Sequence, residues 1–300
     1  MSEVKFGKTI TLKQAAQLIK TNPETVFLLQ GEPGIGKSSI LKQIAEDLGY
    51  EHAYIDVPNM DLGDIAMPVI DHDTKTTRYY PNARFKVHEG KPVVVMLDEF
   101  TKGADPVKNM LHPMLETHNR RLGDISIEPE SITFLTGNLA SDGVGDVLKA
   151  HTRNRIIPLT VRKPTADEWI EWATMNDIEA PVIVWVKNYP HCMNSYMEDK
   201  DNPYIYYPNK VQDAFVSGRS LERVSNILKV RHKLDQDSLI AAMTGAVGEA
   251  ASRDIQAFIA YQDQLPDWGT IMTSPKTAMV PESPGACAVL AYGAIAKVDK

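Results

Sequence analysis

The sequence predicts an α/β fold in which a central parallel β-sheet is flanked by helices and followed by an all-helical region. Three apolar, β-prone runs support the sheet, at residues 25–30, 93–97 and 131–138. A glycine-rich loop and a helical pattern follow the first run, which gives the order strand, loop, helix. Beyond about residue 160, the apolar spacing indicates helices.

The first elements take their boundaries from local signals. Residues 8–21 have the spacing of an amphipathic helix, and Thr11 is its expected N-cap. Residues 25–30 are predicted to form a strand. Apolar residues recur at helical spacing after Lys37, and Gly49 stands where that helix is expected to end.

Two stretches within the α/β part are predicted to be inserted hairpins. Residues 60–85 contain two β-prone segments, 65–70 and 76–80, separated by a polar tip. Residues 118–132 show a similar pattern directly before the third strand. They are either ordinary surface hairpins or loops that carry function.

The second part of the chain is predicted to be helical, with a proline- and tyrosine-rich loop at residues 196–215. The predicted helices are residues 166–175, 181–189, 221–234, 238–261 and 286–296. Three tryptophans are expected to pack in its core: Trp169, Trp172 and Trp185. These patterns divide the chain into an α/β domain at 1–160, a helical domain at 161–265 and a C-terminal extension at 266–300.

Composition argues against several classes of protein. Of the 300 residues, 43% are hydrophobic and 24% are charged, as in an ordinary globular protein. The two cysteines form no disulfide framework, and no apolar run reaches the roughly 18 residues that span a membrane. We therefore expect a cytoplasmic protein without a membrane partner. The net charge of -7 argues against non-specific, charge-driven binding of nucleic acid.

The loop after the first strand has the spacing G-x-x-x-x-G-K-S, which is typical of loops that bind nucleotide phosphates. Its glycines let backbone N–H groups turn toward an anion, and the following helix directs its positive end at the same point. Lys37 is expected to reach the β- and γ-phosphates, and the Ser38 hydroxyl is expected to bind Mg²⁺. The predicted nucleotide-binding residues are Gly31, Glu32, Pro33, Gly34, Ile35, Gly36, Lys37, Ser38 and Ser39.

Two carboxylates end the second apolar run. Asp98 is the expected second ligand of Mg²⁺, and Glu99 is placed to polarise an attacking water. An exposed Asp-Glu turn is the alternative, and the phosphate loop upstream makes it the weaker one. Asn138 ends the third run, where it is either a turn residue or a group that orients the water or touches the γ-phosphate.

With these elements in this order, the sequence resembles the AAA+ ATPases, and more narrowly their MoxR-like and dynein-related branch. The matching segments are GEPGIGKSS (Walker A), VVVMLDEF (Walker B), FLTGN (sensor 1), HTRNRI (arginine-finger region) and SGRSLERV (sensor 2). The resemblance covers residues 8–265 and implies a P-loop AAA+ core followed by an all-helical lid. The combination is more specific than either Walker motif alone.

The resemblance assigns roles to several residues. Asn138 would be sensor 1, and Arg155, with Arg153 as its neighbour, would be the finger that reaches the nucleotide of the next subunit. Arg219 would be sensor 2, with Arg223 as the competing choice. A surface salt bridge is the alternative for each arginine.

Three segments depart from the pattern of the branch. The sequence after the Walker B strand is DEFTKG instead of DEINRA, the finger segment is NRI instead of DRF, and the sensor-2 segment is SGR instead of SPR. None of these changes removes a catalytic group, but they leave the finger and sensor-2 assignments open.

The resemblance implies a Mg²⁺-dependent ATPase that assembles as a homo-oligomeric ring, a hexamer, and remodels a protein client as a chaperone does. A von Willebrand factor A-domain protein is one expected partner, and the two hairpins would face the central pore and touch substrate. The alternative is a nucleic-acid motor or loader, or an McrB-like NTPase acting on DNA, for which the basic segments HNRR and HTRNR speak. A nucleotide-gated scaffold is a third hypothesis, which the intact Lys37, Asp98 and Glu99 oppose. The sequence does not separate ATP from GTP.

Overall fold

The computed structural model describes residues 8–139, 150–208, 210–263, 265, 268–274 and 276–298. The chain divides into two compact units, Met1–Arg162 and Lys163–Lys300. The first unit is α/β and the second is helical. No helix within the described residues is both long enough and apolar enough to cross a membrane.

A five-stranded parallel sheet forms the centre of the first unit. The strands of this unit, in chain order, are β1 (Val26–Gln30), β2 (Glu51–Asp56), β3 (Ala66–Asp71), β4 (Thr76–Pro81), β5 (Val93–Asp98), β6 (Arg121–Leu122), β7 (Ile125–Ser126), β8 (Ile132–Gly137) and β9 (Ile156–Thr160). The sheet has the order β2-β5-β8-β1-β9, with every neighbouring pair parallel. The predicted parallel sheet is confirmed.

Both faces of this sheet are covered, which explains why its central strands are continuously apolar. In β5, Val94 and Met96 belong to one buried cluster, whereas Val93, Val95 and Leu97 belong to another. The first cluster includes the apolar faces of α1 (Leu12–Thr21) and α2 (Ser39–Leu48). The second cluster includes the buried residues of α3 (Asp105–Leu111). A short helix, α4, follows at Ala150–Arg153.

The helix boundaries in the first unit follow the predicted signals. Thr11 caps α1 in a capping box with Gln14, which satisfies two otherwise unpaired N–H groups. Gly49 ends α2 in the left-handed conformation at φ 68°, which glycine adopts without strain. Both of these predictions are confirmed, but the predicted start of the first helix at residue 8 is wrong, because α1 begins at Leu12 directly after its cap.

The two predicted hairpins are present and touch each other. Strands β3 and β4 form a six-residue antiparallel ribbon, and β6 and β7 form a much shorter one. The Tyr79 N–H donates to the Asp124 carboxylate (2.7 Å), and the Asp124 N–H donates to the Tyr79 carbonyl (2.8 Å). The hairpins therefore form one body.

Helices build the described part of the second unit. They are α5 (Ala166–Met175), α6 (Ala180–Asn188), α7 (Gly218–Lys229), α8 (Gln236–Val247), α9 (Glu249–Asp263), α10 (Trp268–Thr273) and α11 (Pro284–Val298). The single helix predicted over 238–261 is wrong, because Gly248 at φ 86° separates α8 from α9. Trp169 and Trp185 are buried as expected, but the prediction for Trp172 is wrong, since it is 39% exposed.

Candidate functional site

The three predicted polar elements meet at one edge of the sheet. Strand β8 lies between β5 and β1, so the carboxyl ends of all three strands lie side by side. Gln30 pairs with Gly137, so that Gly31 and Asn138 leave the sheet next to each other. The neighbouring strand ends with Asp98. The structure thus brings together the glycine loop, the acidic pair and Asn138, which are far apart in sequence.

The glycine loop has a shape that larger residues would not allow. Gly36 has a φ of 101°, and a Cβ there would lie 3.1 Å from Leu12 Cδ1. At Gly31, a Cβ would lie 2.7 Å from the backbone oxygen of Val161, which cannot move away as a side chain could. The chemistry of this cradle fits an anion bound by backbone N–H groups.

The Lys37 side chain folds over its own loop. Its ammonium donates to the carbonyls of Gly31 (2.6 Å) and Glu32 (2.9 Å). These contacts hold the positive charge beside the cradle. A lysine at this position fits the β- and γ-phosphates of a nucleotide.

The two serines after Lys37 differ in their contacts. The Ser39 hydroxyl donates to the Gly36 carbonyl (2.7 Å) and thereby closes the loop. Ser38 is the N-cap residue of α2, but its side chain makes no capping hydrogen bond. The Ser38 hydroxyl therefore fits the predicted role of a Mg²⁺ ligand better than Ser39 does.

Asp98 is held by donors from both neighbouring strands. The Thr136 hydroxyl donates to Oδ1, and the Tyr54 hydroxyl donates to Oδ2 (2.7 Å). Both donors fix the orientation of the carboxylate at the sheet edge. Carboxylate and hydroxyl oxygens are ligands that Mg²⁺ prefers, so Asp98 and Ser38 fit the predicted metal site by their chemistry.

Glu99 has a strained backbone that Thr136 supports. Its φ of 49° is left-handed, a conformation that costs a non-glycine residue about 1–3 kcal/mol. Its N–H donates to the Thr136 hydroxyl (3.0 Å), so this one side chain contacts both acids. The Glu99 carboxylate pairs with Lys102 at 2.6 Å. Since the Glu99 side chain remains 40% exposed, water can reach it.

Thr136 and Tyr54 were not predicted as site residues. Thr136 lies within the run FLTGN, and a buried hydroxyl one residue before the end of a strand is a weak signal of its role. To predict its contact with Asp98, one must know that β5 and β8 are neighbours in the sheet. The contact of Tyr54 requires that β2 lies on the other side of β5.

The predicted arginines differ in their contacts and in the unit to which they belong. Arg153 is exposed, whereas the Arg155 Nε donates to Glu116 Oε1 (2.7 Å) and its Nη1 donates to the His151 carbonyl (2.7 Å). Arg219 and Arg223 belong to the second unit, where both are exposed on α7 one turn apart. Ser217 caps this helix in a capping box, so Arg219 is fixed in its first turn.

One arginine of the second hairpin is not available to grip a client. Arg120 is 5% exposed, and its guanidinium donates to the carbonyls of Pro23 (3.1 Å), Ser131 (2.7 Å) and Pro129 (2.5 Å). These bonds fasten the base of the hairpin to the start of β8. Arg121, in contrast, is exposed, so its side chain is accessible at the surface of the hairpin.

Comparison with known proteins identifies the first unit. The family described as the AAA domain of the dynein-related subfamily matches residues 7–155. No curated protein matches the sequence significantly. A mutant of Thermotoga maritima RuvB is 17% identical, with a TM-score of 0.43, over 90% of this chain and 78% of that chain. The T. maritima RuvB Holliday junction branch migration motor is 18% identical, with a TM-score of 0.41, over 89% of this chain and 77% of that chain. The chain carries, in residues 7–155, an AAA domain of the dynein-related subfamily and thus belongs to the AAA+ class of P-loop proteins.

Proposed function

We propose that the protein is a Mg²⁺-dependent ATPase that works as a homo-oligomeric ring and uses hydrolysis to remodel a protein client. One observation carries the hydrolytic part. The glycine cradle, Asp98, Glu99 and Asn138 converge at the carboxyl ends of three adjacent parallel strands. Phosphoryl transfer requires groups for phosphate, metal and water at one place, and this edge supplies candidates for each.

Each residue has a role that its contacts support. Lys37 and the cradle would hold the phosphates, while Ser38 and Asp98 would hold Mg²⁺, which neutralises developing charge when it is bound. Glu99 would accept a hydrogen bond from the attacking water, for which its carboxylate must exchange Lys102 for that water. Asn138 would orient the water or contact the γ-phosphate.

The ring is proposed because, among the described residues of the first unit, the arginine expected to act as the finger has its hydrogen-bond partners away from the acidic pair. Arg155 donates hydrogen bonds to the Glu116 carboxylate and the His151 carbonyl, and not to Asp98 or Glu99. Arg155 would contact the nucleotide of the next subunit, with Arg153 beside it, and Arg219 would act as sensor 2 within its own chain. A hexamer of the MoxR-like type and a von Willebrand factor A-domain partner belong to this proposal.

A protein client is favoured by the surface of the first hairpin. Five large apolar or aromatic side chains on this ribbon are between 44% and 62% exposed: Met67, Val69, Ile70, Tyr79 and Tyr80. Apolar groups of this kind contact protein segments rather than phosphates. The alternative, action on nucleic acid, loses one of its basic groups, since Arg120 is buried.

Phosphate release and nucleotide binding test the hydrolytic proposal. We expect Glu99→Gln to keep nucleotide binding and to lower turnover by about 10²–10⁴-fold, because the amide cannot act as a base. Lys37→Ala is expected to weaken binding itself. Glu89→Gln, at an exposed glutamate of the same unit, is the control. Normal turnover in Glu99→Gln would exclude its proposed role.

A salt titration of DNA binding tests the alternative. Phosphate contacts by several Lys or Arg side chains give affinities that fall steeply with salt concentration. We expect weak binding without such a slope. A steep slope that Arg121→Ala reduces would favour the nucleic-acid motor.

A further inference from the structure

We propose that Glu116 is a positioning residue for Arg155, which it orients toward the nucleotide held by a second copy of this chain. The inference rests on the proposed ring and goes further, because it names a residue that prepares the donated arginine. Glu116 itself would touch neither nucleotide nor Mg²⁺.

The geometry fixes one side of the guanidinium. Arg155 uses Nε for Glu116 (2.7 Å) and Nη1 for the His151 carbonyl (2.7 Å). A guanidinium has five N–H donors, and these two bonds use two of them. The Nη2 group takes part in neither bond. Held in this way, the side chain presents Nη2 and one N–H of Nη1 as a fork that matches phosphate oxygens.

The segment that carries Glu116 also holds the turn that carries Arg155. His112 Nε2 and the Thr152 hydroxyl are hydrogen-bonded at 2.9 Å. The rings of His112 and His151 pack edge to face, with centroids 4.8 Å apart. Segment 112–116 therefore contacts the turn 150–155 through a carboxylate, an imidazole nitrogen and a ring face, which fixes backbone and side chain together.

The pair is placed where another molecule could reach it. The side chains of Arg155 and Glu116 are 32% and 41% exposed. His112 and Glu116 also line a cavity of about 1000 Å³ on the first unit. An exposed ion pair contributes little to folding, so a role for Glu116 in stability alone is a poor explanation of this arrangement.

The orientation of the Arg155 side chain should have a measurable effect on turnover. An unsupported arginine samples many rotamers, and a misplacement of about 1 Å can cost on the order of 100-fold in rate. Because the His151 carbonyl remains as a partner, we expect Glu116→Ala to lower turnover by about tenfold. Glu116→Gln keeps an oxygen that accepts the Nε–H, so it should retain most of the activity. Glu116→Lys places like charge against Arg155 and should lower turnover more than Glu116→Ala.

The first experiment measures phosphate release by full-length variants, with and without Arg155. If Glu116 acts through Arg155, Glu116→Ala lowers turnover in the wild type and has no further effect in Arg155→Ala. An equal loss in both backgrounds, or an equal loss in Glu116→Gln and Glu116→Ala, overturns the positioning role. Normal turnover in both Glu116→Ala and Glu116→Lys overturns it as well.

The second experiment places the defect on the donor side of the interface. Lys37→Ala subunits lack a working nucleotide site but keep Glu116 and Arg155. Mixing Lys37→Ala subunits with Glu116→Ala subunits should raise turnover above the average of the two separate proteins. As a control, Glu116→Ala subunits are mixed with subunits that carry both Lys37→Ala and Arg155→Ala, and this mixture should show no such increase. If Arg155→Ala alone leaves turnover unchanged, the proposed finger fails. If it slows turnover and Glu116→Ala does not, only the role of Glu116 fails.

Discussion

Replacing Thr136 by valine removes one hydroxyl and keeps the shape of the side chain. This hydroxyl donates to Asp98 and accepts from the Glu99 N–H, and Thr136 is 1% exposed. The substitution therefore leaves the Glu99 N–H without its partner at a left-handed residue and removes one of two donors from Asp98. Tyr54 still donates to the other carboxylate oxygen.

The expected magnitude follows from these two bonds. Leaving a buried N–H unpaired costs about 1–3 kcal/mol, and a hydrogen bond to a charged group contributes about 1.5–3 kcal/mol. Since Glu99 is only partly buried, we expect a loss of about 2–4 kcal/mol in the free energy of unfolding. Turnover should fall by about 10–100-fold, because both acids lose their fixed positions.

Thr133→Val is a matched control on the same strand. Thr133 is also 1% exposed, but within the described residues its hydroxyl has no hydrogen-bond partner. The same substitution there should be neutral or slightly stabilising, because it removes an unsatisfied polar group. Urea unfolding and phosphate release measure both variants. If Thr136→Val is as harmless as Thr133→Val, Thr136 does not organise the acids.

Three further predictions concern the cradle, the hairpin and the finger turn. Gly36→Ala should abolish nucleotide binding in a nucleotide titration, because Gly36 has a φ of 101° and Leu12 is close. Its control is Gly245→Ala, in open space within α8, which should raise the free energy of unfolding in urea by about 0.5–1 kcal/mol. Arg120→Ala should cost about 2–4 kcal/mol in urea unfolding, because it leaves carbonyls unpaired, and Arg121→Ala should stay within about 0.5 kcal/mol. Burial, followed by the charges of nearby Arg155 and His151, lowers the pKa of His112 from its ordinary 6.5. The unfolded chain therefore binds this proton more readily than the folded chain, so the stability contributed by neutral His112 is present above pH 6.5 and is lost as pH falls. His112→Asn removes the titrating group and should flatten the dependence of the unfolding free energy on pH.

The nucleotide edge was predictable because its signals are local. The strand, loop and helix around Lys37 follow one another in sequence, and glycine has few other reasons to recur at that spacing. Asp98 and Asn138 each end an apolar run, and parallel strands must bring such ends to one edge. That Asp98 and Asn138 lie close together then follows from the order of the strands in the sheet.

The supporting contacts were not predictable because they depend on pairing across the fold. Thr136 and Tyr54 reach Asp98 only because β8 and β2 lie on opposite sides of β5. The pairing of Glu116 with Arg155 joins residues that no motif connects. The break at Gly248 was missed because the apolar spacing of α8 and α9 continues through it, and backbone geometry alone separates them.

Subunit mixing tests the central claim most directly, since each chain is proposed to hold half of a working site. Lys37→Ala should be inactive because it cannot hold nucleotide, and Arg155→Ala should keep only a small residual turnover because it donates no finger. In a mixture of equal parts, about one interface in four joins an intact nucleotide site to an intact arginine, so phosphate release should rise above the average of the two separate proteins. If both variants assemble together and the mixture shows no such increase at any ratio, the sites are not shared and the account is wrong.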